Sequence, residues 1–206
     1  MKRRILSSLM ALVLCLTLLP AAAYADGGTA VYVSSSGNDG TGDGSADKPF
    51  ATLAKAVDVA KDGATVYVMS DLTMTDCARF YSKSLTITSL GDATCTITRG
   101  DNFARQQDNA RSTYNPAMIE VQTHTGGEGA GLTLTNIIFD DARKHEGTVF
   151  AQASSGKSEG DESNKIYVQD AIIASNATVP TTITLGDGAV LRNFGGMSAV
   201  RATGEA

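Results

Sequence analysis

Along most of the chain, apolar and polar positions alternate with a period of two. The runs are "ATVYVMS" (64–70), "SLTITSL" (84–90), "CTITRG" (95–100), "MIEVQT" (118–123), "GLTLTNIIF" (131–139), "TVFAQ" (148–152), "IYVQDAII" (166–173) and "TTITLGDGAVL" (181–191). Each is short, rich in β-branched residues and bounded by Gly, Asp, Asn or Ser, as strands with one buried face are. One stretch departs from this. In residues 50–61, Phe50, Leu53, Val57 and Ala60 recur at helical spacing and make one apolar face. Asp47 stands before it as a cap, and Pro49 suits its first turn. Lys61-Asp62-Gly63 supplies a terminal cation and a stop. A short strand at 31–33 and a Gly/Asp/Ser loop come first. The pattern predicts an all-β protein with one amphipathic helix near its start.

Two architectures produce many short strands: a sandwich and a stack of coils. Repetition favours the stack. "LTIT" at 85–88 recurs as "LTLT" at 132–135 and within "TTITL" at 181–185, with polar inserts at 100–116 and 154–164 between similar strand texts. A stack of coils has an open first rung whose apolar end faces water and whose strand edge is unpaired. An amphipathic helix placed before the first coil covers that end, whereas a sandwich needs no such element.

The first residues are read separately. Lys2, Arg3 and Arg4 precede an apolar run from Leu6 to Leu19, then Pro20 and Ala23-Tyr24-Ala25. This is the plan of a secretory signal cut after Ala25, and its apolar core is too short for a stable spanning helix. The expected location is therefore outside the cell or on its surface, with no membrane insertion once the signal is removed. The formal charge is −5, and loss of that basic segment makes it more negative. An acidic surface argues against nucleic acid as a partner. Trp, the commonest sugar-stacking residue, is absent. Cys77 and Cys95 survive processing. A disulfide between them and two buried core residues are both open readings, and two cysteines without a His pair do not make a zinc site.

The opening "VYVSSSGNDGTGDGSADKPFATLAKAVDVAKDGATVYV" (31–68) resembles that of secreted bacterial right-handed parallel β-helix proteins of the pectate-lyase-like superfamily. Tyr32, Val33, Ser34, Gly37, Asn38, Asp39, Pro49, Phe50, Leu53, Ala56, Ala60, Gly63, Val66, Tyr67 and Val68 carry the likeness. "LTLTNIIFDD" and "ITLGDGAVLRN" are similar in texture to coils of large surface proteins of Gram-positive gut-type bacteria. The resemblance implies a right-handed parallel β-helix (solenoid) with one N-terminal capping helix. The corresponding plan is a signal over 1–25, a strand, loop and capping helix over 26–63, and coils over 64–206. The end at "GGMSAVRATGEA" falls in mid-pattern, so further coils are expected to follow. This fold hosts lyases, hydrolases, epimerases, adhesins and stalks, so it does not decide function.

Candidate chemistry is sparse. In "GNDGTGDGSAD", Asp39, Thr41, Asp43 and Gly44 match the first positions of a calcium loop. Phe50 occupies the place where a bidentate Glu is required, which leaves Asp39 and Asp43 as weak metal candidates. "IIFDDARKHEG" (137–147) sets Asp140 and Asp141 ahead of Arg143, Lys144, His145 and Glu146. Similarity to β-helix polysaccharide lyases implies a calcium ion on such carboxylates, neutralising a uronate while Lys or Arg takes the α-proton. Against this, adjacent residues on a strand face opposite ways, and charged runs at loops are mostly solvated edges. The insert at 100–116 offers Phe103, Arg105, Arg111 and Tyr114, followed by His124, as candidate ligand-binding residues, because long loops on rigid scaffolds commonly carry function. Neither His has a nucleophile motif beside it, no phosphate-binding Gly loop is present, and the sequon at Asn176 carries little weight.

Two functions are expected to compete. One is a non-catalytic surface module or adhesin presenting a binding face to a polysaccharide, a host or cell-wall glycan, or a protein. The other is a polysaccharide lyase or glycoside hydrolase acting on acidic polysaccharide; no cofactor is expected apart from calcium, which would assist a lyase. A stalk without a ligand is a third. Carboxylates converging across coils favour the enzyme, and Ser/Thr/Asn ladders favour the scaffold.

Overall fold

The computed structural model describes residues 30–100, 103, 117–123, 128–142, 171–175, 179–194 and 199–203. The protein is mostly β, with three parallel sheets and one short helix among the described residues. The first sheet has five strands in the order β1 (Ala30–Val33), β2 (Thr65–Val68), β5 (Ser84–Ser89), β8 (Gly131–Thr135), β11 (Thr182–Leu185). The second runs β3 (Leu72–Met74), β6 (Cys95–Arg99), β9 (Ile137–Asp140), β12 (Ala189–Arg192). The third runs β4 (Ala78–Tyr81), β7 (Ile119–Gln122), β10 (Ile172–Ser175), β13 (Val200–Thr203). From β2 onward the chain visits the sheets in a fixed cycle, three strands at a time. Each strand pairs in parallel with the strand three places later in sequence.

Register follows the alternating pattern. Val31, Val66, Ile87 and Leu134 stand side by side, as do Leu72, Ile97, Phe139 and Leu191. Their side chains form one apolar core with inward residues of the third sheet, such as Phe80, Ile119 and Val121. A fully buried side chain of this size stabilises by about 1.5–3 kcal/mol. A one-residue slip of any strand would turn its whole apolar set outward, so the pattern fixes the register.

Two long apolar runs that look continuous in sequence are each cut into two strands of different sheets. "GLTLTNIIF" breaks at Asn136, which takes a left-handed φ of 44° and forms a one-residue corner between β8 and β9. Asn136 suits this because Asn tolerates that conformation. Its Nδ2 also donates to the Gly91 carbonyl at 3.2 Å. "TTITLGDGAVL" breaks at Gly186–Gly188, with Gly188 at φ 71°.

The helix α1 (Leu53–Val59) is shorter than the expected 50–61. Thr52, not Asp47, is its N-cap, and accepts from the Lys55 N–H at 3.1 Å. Pro49 lies outside it, and Phe50 instead bridges to Val33 in parallel. The expected cation in the last turn is absent, and the C-cap is Ala60. Lys83 supplies the charge from a distance: its Nζ donates to the carbonyls of Val57, Asp58 and Ala60 at 2.7–3.0 Å. Those carbonyls lack partners within the helix, which is where a cation is favoured. Leu53, Ala56 and Val57 are buried, and α1 packs on β1 and on β4, the first strand of its sheet.

Candidate functional site

Asp140 ends β9 and Asp141 directly follows it, and the two point to opposite sides of the second sheet. Asp141 continues the inward column and is fully buried. It forms an ion pair with Arg99, the last residue of the neighbouring β6, which is also fully buried. Asp140 faces outward, in register with Arg192 of β12. It accepts from Arg192 Nε at 2.7 Å, Asn193 Nδ2 at 2.8 Å and the Ala142 N–H at 2.7 Å. Burial pushes its pKa upward, but those hydrogen bonds outweigh it and leave the carboxyl below its ordinary value. The expectation of a solvated charged edge is thus corrected for both residues. Each carboxylate joins two neighbouring strands, Asp141 back to β6 and Asp140 forward to β12. Two carboxylates on opposite faces, each held by an arginine, do not converge on one ligand. Arg143, Lys144, His145 and Glu146 lie outside the described residues.

Of the insert, Phe103 is described. Its ring lies under the Arg99 guanidinium, 4.5 Å from centroid to Cζ, so it covers the buried ion pair. Arg105, Arg111, Tyr114 and His124 lie outside the described residues, as do residues 1–25 and Asn176. The third sheet has an ionic set of its own on its outer face. Arg79 of β4 pairs with Glu120 of β7, which also accepts from Gln122. Burial acts to lower the Arg79 pKa, and the Glu120 carboxylate more than offsets it.

The early loop uses its carboxylates on its own backbone. Asp39 accepts from the N–H groups of Ala51 and Thr52 at 2.7 and 3.1 Å and from Thr52 Oγ1 at 2.7 Å, locking the loop onto the start of α1. Asp43 accepts from the Ser45 N–H at 3.0 Å, and its hydrogen bonds to Ser45 lower its pKa. Gly37 sits where a Cβ would come within 2.2 Å of the Phe50 carbonyl oxygen, so the loop closes only with glycine there. Among the described residues, no group of three His, Cys, Asp or Glu side chains is placed to hold a metal ion.

Cys77 and Cys95 are free and buried, so the disulfide reading is corrected in favour of two core thiols. Cys95 opens β6 in the second sheet, whereas Cys77 directly precedes β4 in the third. Burial, with a smaller contribution from Glu120, pushes the Cys77 thiol up to about 12.

The outer face of the five-stranded sheet is of another kind. Thr65, Thr86, Thr133 and Thr184 stand in one register column, and Tyr32, Tyr67, Thr88 and Thr135 in the next. Tyr32 stacks on Tyr67 with ring centroids 5.3 Å apart. A groove of about 250 Å³ crosses the strands at the first column, lined by Ser84, Thr86, Thr133, Thr182 and Thr184 over Gly63 and Gly131. This ladder was not singled out from the sequence. Its signal was present in "TIT" at 86–88, "TLT" at 133–135 and "TIT" at 182–184, where the residues flanking the inward side chain are threonines each time.

No family model, curated protein or solved structure matches the chain. No helix among the described residues is long and apolar enough to cross a membrane.

Proposed function

We propose that the chain is a right-handed parallel β-helix of the pectate-lyase-like kind, exported by a bacterium, and that it works as a non-catalytic surface module presenting a binding face to glycan. Four rounds of three strands, parallel neighbours throughout and a helix beside the first strand of one sheet are the features a capped coil stack requires. Handedness, export after Ala25 and surface display rest on the resemblance of the opening segment and on the signal-like first residues.

One observation carries the non-catalytic reading. Asp140 and Asp141, the carboxylates an acidic-polysaccharide lyase of this kind would aim at one calcium ion, diverge and are each taken by an arginine of a different strand. Calcium prefers six to eight oxygens, and this corner offers it no convergent pair. The hydroxyl column on the five-stranded sheet is the surface expected of a scaffold that binds rather than cleaves.

The test is cleavage of polygalacturonate and other polyuronates by the purified protein, with and without calcium, followed by ultraviolet absorbance of the unsaturated product. No product is expected from folded protein. Calcium-dependent product that disappears in Asp140→Ala would overturn the reading.

A further inference from the structure

The groove across the five-stranded sheet has three properties that together specify a ligand chemistry. First, its lining is uncharged. No Asp, Glu, Lys, Arg or His lines it, in a chain whose formal charge is −5. The charged side chains beside it turn to the backbone: Asp62 accepts from the Ser84 N–H at 2.7 Å, and Lys83 donates to the end of α1. Second, the hydroxyls of Thr86, Thr133 and Thr184 have no hydrogen-bond partner among the described residues, although these side chains are half-buried or exposed. Each is one donor and two acceptor sites held on a rigid strand. The Thr52 and Thr94 hydroxyls, by contrast, are engaged within the protein. Third, the groove is a track and not a pit. It runs across neighbouring strands, about 4.8 Å apart, which is close to the length of one hexopyranose unit in an extended chain. Gly131 keeps the track open between Ser84 and Thr182, since a Cβ there would come within 2.8 Å of Ser84 Oγ.

We propose that this track binds a neutral glycan chain lying across the strands, about one sugar unit to each strand, with the ladder threonines exchanging hydrogen bonds with sugar hydroxyls. This rests on the binding-module reading above and gives it a place and a ligand class. The uncharged lining disfavours polyuronates and nucleic acid, which require cations. The volume, below the roughly 300–1,000 Å³ of enclosed ligand sites, suits a shallow subsite repeated along a polymer. The stacked Tyr32 and Tyr67 stand in the adjoining column at the β1–β2 end of the same face.

The test is calorimetric or NMR titration of the full chain with cellohexaose, mannohexaose and maltohexaose, and with hexagalacturonate as the charged counterpart. Binding of at least one neutral hexasaccharide is expected, insensitive to added salt. Thr86→Val and Thr133→Val keep β-branching and strand shape. Each is expected to weaken that binding about threefold to tenfold, the range for one lost hydrogen bond, and adding Thr184→Val should abolish it while circular dichroism and Tm stay as in the parent. Neutral binding that ignores all three substitutions overturns the track and leaves the module reading in place. Salt-sensitive binding of hexagalacturonate alone overturns the neutral ligand and leaves a glycan module. Retention on deglycosylated mucin without binding to any saccharide overturns both glycan statements in favour of a protein partner.

Discussion

At the ends of β6, β9 and β12, charged groups pair with one another, whereas on the outer face of the five-stranded sheet the Thr86, Thr133 and Thr184 hydroxyls face solvent. In the first region Arg99 and Asp141 meet in the core, and Arg192 and Asn193 hold Asp140 on the outside. In the second, threonines repeat in register with no ionisable side chain in the groove they line. The difference follows from what each position must do. A buried charge without a partner costs several kcal/mol, so charges near the core occur as pairs, and the pairs span strands. Hydroxyls on a solvated face cost little and fit the pleat, so they are free to meet a ligand.

The largest expected effect lies in the charged region. Asp141→Ala leaves Arg99 buried without its carboxylate and should destabilise by about 3–5 kcal/mol. The check is a lower urea midpoint at unchanged slope. Next comes the end of α1 that faces the loop. Thr52→Ala removes the cap and one of the contacts of Asp39, with an expected loss of about 1 kcal/mol in the same assay. Smaller still is the outward pair. The Asp140 carboxyl is held below its ordinary value, so its contribution is present above the unfolded value, about pH 3.9, and is lost as pH falls through the native one. Asp140→Asn should flatten that acid limb of a stability profile. Because Arg192 is half-exposed, the change should be small. Smallest is Thr133→Val, expected within about 0.5 kcal/mol of the parent. A large loss there would mean that the neutral face is structural and would erase the contrast.

Much of this architecture was legible in the chain. The period-two runs from Ala64 mark the strands, and Phe50, Leu53, Val57 and Ala60 are all buried as their spacing requires. Phe50 belongs to that face through a bridge to Val33 instead of through the helix, because Pro49 and the Asp39 contacts hold the entry extended. The corners were harder to read. Asn136 looks like any polar residue within an apolar run, and only its positive φ shows that the chain turns there into another sheet. The strands at Leu72–Met74 and Ala78–Tyr81 are too short to display a period. The candidate site was legible in composition but not in partnership. "FDD" announces two carboxylates facing opposite ways, while Arg99 and Arg192 lie 42 and 52 positions from their partners in sequence. The alternation in "CTITRG" sets Arg99 on the inward side with Cys95 and Ile97, but nothing local shows which carboxylate meets it.

The two thiols provide an independent check on the core. Cys77 and Cys95 should be unreactive toward a thiol reagent in the native protein at neutral pH, since both are buried and the Cys77 thiol titrates only near pH 12. Denaturation without reductant should release both. If neither appears, the pair is bonded and the separate placement of Cys77 and Cys95 needs revision.

The central claim is that the carboxylates at the end of β9 hold strands together instead of serving a reaction. Equilibrium denaturation of Arg99→Met, Asp141→Leu and the double variant tests it most directly. Each single change strands one buried charge, whereas the double change replaces the pair by apolar side chains, which is often neutral or stabilising. The account predicts two strongly destabilised single variants and a double variant within about 1 kcal/mol of the parent, a coupling well outside ordinary additivity. Additive losses, or an Asp141→Leu protein as stable as the parent, would contradict it and return Asp141 to the list of residues kept for chemistry.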